Sequence, residues 1–334
     1  MPLPVPVMVS IDYRGGTRFG PGYERALALV EALEKAKESV RLLNINEPLV
    51  TLKERLAAGF VVVVADHFAP CSEGARCWPG AHGFRRCLDQ IQARYFGSRY
   101  EPLMRSSSGN KILARRWLSP VVAVPAARIV RRCAPSSPER IIRALGLPLV
   151  VKRTVDTGAS VGVHYVDSVS DLGRAIECEL LDSQQDVLVE AFVPGREMTV
   201  WVRDLGSRPS CYAIVEVRKP RNSPILTNVG KNLSGVGRGG QSPPARAPMF
   251  DIEPALTGRM RAQVRSVALR AHSTCGLRHY SRVDLIVGAH GPVVLDVNAA
   301  PVLADNGLGR IARRKGKSFS ELLSQFIASA YGKA

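Results

Sequence analysis

Residues 280–301, YSRVDLIVGAHGPVVLDVNAAP, restrict the possible folds more than any other stretch of the chain. Two apolar runs, VDLIV and PVVLDV, flank a glycine-containing turn, which is the pattern of a β-hairpin. Asp296 and Asn298 stand two apart, so the alternation of a strand turns both to one face. Asp284 lies on the neighbouring strand, where it can join them, with Arg282 beside it. Carboxylates inside apolar strands are costly to bury unless something pairs with them. Two carboxylates and an amide oxygen from adjacent strands form an all-oxygen set suited to Mg²⁺, with Mn²⁺ as a second candidate. The plainer alternative is a hairpin whose polar residues are simply solvated.

The first hundred residues alternate strand and helix, the opening of an α/β domain. Strands are expected at Val5–Ile11 and Val40–Ile45, and a buried parallel strand in Phe60–Ala65. Helical periodicity runs through Tyr23–Lys37, and a short helix is expected at Leu49–Ala57. The glycine-rich turn RGGTRFGPG after the first strand matches no phosphate-binding fingerprint and reads as a tight turn or a substrate-facing loop.

Further along, RSSSGNKILARRWL suits a helix entry, with Ile112, Leu113, Trp117 and Leu118 as its apolar face. Lys111 falls in the first turn, where the helix dipole disfavours a cation, so it is a candidate phosphate ligand. The next module is strand, loop, strand, helix. Lys152 ends its apolar strand just before the small-residue loop, which brings an ammonium and backbone N–H groups to one place. Glu190 and Glu197 interrupt apolar strands near the turn at Pro194–Gly195. Residues 220–248 form a loop too long to be a mere connector, with Lys231 and Asn232 inside it. Helices are expected over about 252–274 and about 318–331.

Apolar residues make up 46% of the chain, which argues against disorder. No apolar run reaches the roughly 18 residues of a membrane span, and the N-terminus lacks the pattern of a signal peptide, so the default address is the cytoplasm. Seven cysteines, an odd number, argue against a disulfide framework. His67, Cys71, Cys77, His82 and Cys87 cluster, but without a paired zinc-ligand spacing; reduced thiols in a loop are the plainer reading. The formal charge of +17 favours anionic partners, yet it is spread along the chain with no nucleic-acid-binding motif.

Four stretches in order, GNKILARRWL, LPLVVKRTVDTGASVGV, VLVEAFVPGREMTV and the hairpin SRVDLIV with VVLDVNAAP, resemble the ATP-grasp ligases, most closely the D-alanine–D-alanine ligases. By motif the resemblance covers about 106 to the C-terminus, and by element order alone the region before it. It implies an α/β and α+β architecture: a Rossmann-like domain over 1–105, a central lid over 106–195 and a C-terminal lobe over 196–334. It implies ATP and Mg²⁺ as cofactors, small amino-acid-like carboxylate and amine substrates, and a homodimer. Lys111 and Lys152 would hold phosphates. Glu190 would meet the adenine amino group, with Ala191, Phe192 and Val193 as hinge backbone, and Glu197 the ribose. Asp284, Asp296 and Asn298 would hold the metal. Arg282, Lys152 and the lid residue Ser160 would face the reacting groups.

The chain also departs from the family pattern. The lid, usually E-G-S-S-x-G, reads Thr157-Gly158-Ala159-Ser160-Val161-Gly162. Asp296 replaces a glutamate, Val302 a glycine and Gly307 a serine, and Glu24 is the only candidate for an N-terminal substrate glutamate. These losses gather at the amino-acid pockets, and they favour a carboxylate–amine ligase of specialised metabolism. The alternatives are an authentic D-alanine–D-alanine ligase and a non-catalytic ATP-binding protein.

Overall fold

The computed structural model describes residues 2–11, 21–45, 49–57, 59–62, 83–155, 162–204, 208–219, 224–225 and 249–332. A parallel sheet comes first, built from β1 (Val7–Ile11), β2 (Val40–Asn44), β3 (Phe60–Val62) and β4 (Tyr95–Phe96) in the order β2-β1-β3-β4. Its strands are separated by α1 (Pro21–Lys35), α2 (Leu49–Ala57) and α3 (Gly83–Gln90). Alternation gives each strand two buried faces. Val7, Val9, Phe60, Val62 and Phe96 enter one core with α1, while Met8, Val61 and Tyr95 enter another with α2 and α3. Of the expected strand 60–65, only Phe60–Val62 lies within the described residues.

Two short helices follow, α4 (Tyr100–Met104) and α5 (Lys111–Leu118). The central sheet has the order β5-β8-β6-β7, from β5 (Ala127–Val130), β6 (Leu149–Arg153), β7 (Val163–Val166) and β8 (Val187–Ala191). Helices α6 (Pro138–Leu145) and α7 (Val169–Ser183) cover one side of it. The strand carrying Lys152 runs one residue further than expected, to Arg153.

The third sheet is antiparallel, in the order β11-β10-β9-β12-β13. Its strands are β9 (Arg196–Asp204), β10 (Ser210–Arg218), β11 (Met249–Ile252), β12 (His279–Gly288) and β13 (Gly291–Asn298). Between β11 and β12 runs α8 (Gly258–Thr274), and the chain then enters α9 (Arg310–Arg314) and α10 (Phe319–Tyr331). Met198, Val200, Val202, Val283 and Leu285 pack towards α8, and Ala114 and Leu118 of α5 join that core. Leu322, Phe326 and Ile327 of α10 fill the core beneath the parallel sheet.

Two expectations are corrected. The helix expected from 252 begins at Gly258: Met249–Ile252 pairs with β10 instead, and Thr257 caps the helix by accepting from the Met260 N–H. Pro254 lies between the two, where its missing N–H does no harm. Trp117 is not part of the buried face of α5; it is 42% exposed, with the Arg105 guanidinium 4.5 Å from its ring centroid. Among the described residues, no helix is long and apolar enough to cross a membrane.

Candidate active site

The alternation that builds the cores also builds the site. In the central sheet Leu149, Val151, Val187 and Val189 face α6 and α7, so Lys152 and Glu190 emerge on the opposite face. The register pairs Val150 with Glu190 and Lys152 with Leu188, which makes Lys152 and Glu190 diagonal neighbours. Lys152 Nζ lies 2.7 Å from Glu190 Oε2, and Arg115 Nη1 lies 3.3 Å from Oε1. Burial alone would push the Lys152 ammonium down, but the charges of Glu190, Asp296 and Glu197 outweigh it and hold it above the ordinary lysine range.

Lys111 reaches the same place from α5. Asn110 caps that helix by accepting from the Leu113 N–H at 2.9 Å, and the Lys111 N–H donates to the Thr154 carbonyl at 2.7 Å. The preceding serines fasten the segment to β13. The Ser107 N–H donates to the Val297 carbonyl, and the Val297 N–H returns a bond to Ser107 Oγ, both at 2.9 Å. Lys111 Nζ then stands 4.0 Å from Asp296 Oδ1. The result is a cleft of about 300 Å³, including its open mouth, that gathers Lys111, Arg115, Lys152, Glu190 and Asp296.

The hairpin forms as the sequence implies. Asp284 pairs with Asp296 and Arg282 with Asn298 across the ladder, on the face opposite α8. Arg282 grips Asp284 through two bonds, Nε–Oδ1 at 3.0 Å and Nη2–Oδ2 at 2.8 Å, and Thr199 Oγ1 donates to Oδ1 at 2.9 Å. The carboxylates of Asp284 and Asp296, on adjacent strands and one face, are of the kind a hard divalent cation takes, but Arg282 holds both oxygens of Asp284 and must release one before that carboxylate can ligate. Asn298 fits less directly. Its Oδ1 accepts from Ser108 Oγ at 2.9 Å and from the Ala300 N–H at 3.0 Å, so one bond must give way before it can ligate.

At the end of β8, the Ala191 N–H donates to the Ala126 carbonyl and the Phe192 N–H to the Pro148 carbonyl, at 2.8 and 3.0 Å. Phe192 also packs edge-on against Tyr165, with the ring centroids 5.3 Å apart. The turn after Val193 runs so close to β12 that a Cβ at Gly195 (φ +151°) would come within 2.4 Å of the Val287 carbonyl. Glu197 leads β9, its Oε2 3.6 Å from Lys219 Nζ. Ser160, Lys231, Asn232, residues 14–20 of the glycine-rich turn after β1 and all of the His/Cys cluster except Cys87 lie outside the described residues, while Pro21 and Gly22 of that turn open α1.

Sequence reasoning missed Arg115, Thr199, Ser107, Ser108 and Lys219. Arg115 alone carried a signal, since it sits four residues after Lys111 and so shares its helix face. Thr199 becomes visible only through the register that sets it opposite Asp284.

Residues 122–328 match the family model described as D-ala D-ala ligase C-terminus. A D-alanine–D-alanine ligase from Pseudothermotoga lettingae is 26% identical over 303 residues, 90% of this chain and 92% of its own length. One from Desulforudis audaxviator is 31% identical over 223 residues, 66% of each chain. Among solved structures, the Bacillus anthracis D-alanine–D-alanine ligase complexed with ATP superposes with a TM-score of 0.72 at 17% identity, covering 98% of this chain and 97% of that one. The Vibrio cholerae D-alanyl-alanine synthetase A gives 0.73 at 19%, covering 99% of each. The fold is therefore ATP-grasp, and the chain belongs to the D-alanine–D-alanine ligase family of ATP-dependent, ADP-forming carbon–nitrogen ligases.

Proposed function

We propose that this ligase joins two small amino acids, with D-alanine as first choice for both. The single observation that carries the reading is the convergence of Lys111, Lys152 and Asp296 on one cleft, in a chain whose relatives are named D-alanine–D-alanine ligases along nine-tenths of its length. The departures at the amino-acid pockets had put an altered substrate first; the relatives reverse that order.

The reaction that suits the site begins with a substrate carboxylate attacking the γ-phosphate of ATP, which gives an acylphosphate and ADP. The amine of the second substrate then displaces phosphate and forms the amide. Catalysis in such a reaction is positioning and charge neutralisation. Lys111 and Lys152 would hold phosphate oxygens. Arg282, now spent on Asp284, would turn to the transferring phosphoryl group, and Ser160 would face it from the lid. Glu190 and the hinge Ala191–Val193 would read adenine, and Glu197 the ribose. Asp284 and Asp296, with Asn298 once released by Ser108 or Ala300, would hold Mg²⁺ or Mn²⁺. Such a cation, when bound, neutralises phosphate charge. The three sheets correspond in this reading to units over 1–105, 106–195 and 196–334.

A second reading, a ligase with a different acceptor, is favoured by the region after β13. Val302 is 44% exposed, and a Cβ at Gly307 would meet no atom within 4 Å. A site that lacks a hydrogen-bonding group does not select the substrate that needs it. Phosphate release with ATP, Mg²⁺ and a panel of D- and L-amino acids, with mass spectrometry of the product, separates the two. D-alanyl-D-alanine as the main product supports the first reading. A mixed dipeptide formed at a much higher kcat/KM replaces it with the second, and ADP formation with no amino acid overturns both.

A further inference from the structure

Glu190 is a buried carboxylate served by two cations. It is 4% exposed, and it meets Lys152 through Oε2 and Arg115 through Oε1. Arg115 is fixed in turn to the carbonyl of Pro125, on the approach to β5. Three cations and two carboxylates line the cleft: Lys111, Arg115 and Lys152 against Glu190 and Asp296. The nucleotide site set out above asks two things of Lys152. It neutralises Glu190 at 2.7 Å, and in that reading it would also face the phosphate oxygens of ATP. A buried carboxylate stripped of its partner is strongly destabilising. With Lys152 alone, ATP binding would have to meet that cost in full.

We propose that Arg115 is a positioning residue for nucleotide binding: it keeps Glu190 neutralised while Lys152 turns to the phosphates of ATP. The proposal rests on the nucleotide-site reading given under the proposed function. A guanidinium suits the task because it stays charged at any working pH and carries enough donors to hold the Pro125 carbonyl and a carboxylate together. The role concerns the phosphates and not the base, and it acts only through the charge of Glu190.

Both features can be read from equilibrium binding of ATP and of adenosine to wild-type protein and to Arg115→Gln, each repeated in a Glu190→Gln background. Glutamine keeps an amide donor but carries no charge. Arg115→Gln is expected to weaken ATP about tenfold, to leave adenosine within about twofold, and to lose its effect on ATP once Glu190 is Gln. Arg115→Lys keeps the charge in an altered shape and is expected to hold ATP within about twofold of wild type; it also serves as the test if Arg115→Gln does not fold. Equal losses for ATP and adenosine, an undiminished loss in the Glu190→Gln background, or a full loss in Arg115→Lys would overturn the proposal. Wild-type protein that binds no ATP would overturn the nucleotide-site reading as well, so the wild-type titration tells the two failures apart.

Discussion

The two walls of the cleft handle charge in opposite ways. On the central sheet, Lys152 is 7% exposed and its ammonium sits against Glu190 at 2.7 Å. On the hairpin, the Asp296 side chain is 31% exposed and Lys111 Nζ stands 4.0 Å from its Oδ1, beyond hydrogen-bonding distance. The first wall satisfies its own charges before any ligand arrives. The second holds Asp284 through Arg282 and Thr199, while the Lys111 contact to Asp296 is a long one. In the nucleotide-site reading proposed above, ATP entering between them would draw Lys152 from Glu190 on one side and meet Asp284 and Asp296 on the other.

Breaking the hairpin wall should cost most. Asp296→Asn is expected to lower turnover about 10³-fold or more, because it removes charge that phosphoryl transfer draws on. Thermal unfolding should be nearly unchanged. Steady-state assays over a range of Mg²⁺ check this, and near wild-type activity at ordinary Mg²⁺ would take Asp296 out of the site.

The central wall comes next. Lys152→Ala is expected to weaken ATP about a hundredfold, since a charged hydrogen-bond donor to phosphate is lost. Glu190 keeps Arg115, so the fold should survive. Calorimetric titration with ATP measures the effect, and unchanged affinity would make Lys152 a purely structural cation. Lys111→Ala, at the rim between the walls, should weaken ATP about tenfold by the same measurement.

The least effect on activity should come from the foot of β12, away from the cleft, where a change should touch stability alone. His279 accepts from the Gly97 N–H at 2.8 Å and stacks on Phe96. Burial, followed by the nearby Arg278, and with Arg99 and Arg85 acting against the pull of Asp204, lowers its pKa to about 3. The unfolded chain takes up a proton near pH 6.5 and the folded one does not, so the stability this neutral ring contributes is present above that pH. It is lost as pH falls from about 6.5 towards 3, by at most about 1.4 kcal/mol per pH unit. His279→Gln should flatten the slope in denaturant titrations over that range. An equally steep slope in the variant would assign the acid sensitivity to other groups.

Much of this site could be read from the sequence because strands convert spacing into direction. Asp284, Asp296, Lys152 and Glu190 each interrupt an apolar run, and a polar residue there must point away from the core its neighbours fill. Helix positions were harder. Trp117 fits the apolar periodicity of α5 but lies over Arg105, because that helix buries only a narrow stripe through Ala114 and Leu118. Arg115 looked like any surface arginine until β8 placed a carboxylate beside it. At α8, apolar Ile252 extends the helical pattern past Pro254, whereas the capping threonine at 257 marks where the helix starts.

The packing of α10 beneath the parallel sheet bears on how such a protein is made. Ser324 donates to Glu38 across 286 positions of sequence, the Arg94 guanidinium donates to the Tyr331 carbonyl, and Leu322 and Phe326 share a core with Val7 and Phe60. During synthesis the earliest strands therefore emerge long before the helix that covers them. Contacts this distant in sequence slow folding, and until α10 is made the core that α1 shares with the first sheet lacks the side chains of its last helix. Until α10 leaves the ribosome, that incomplete core is open to non-native contacts.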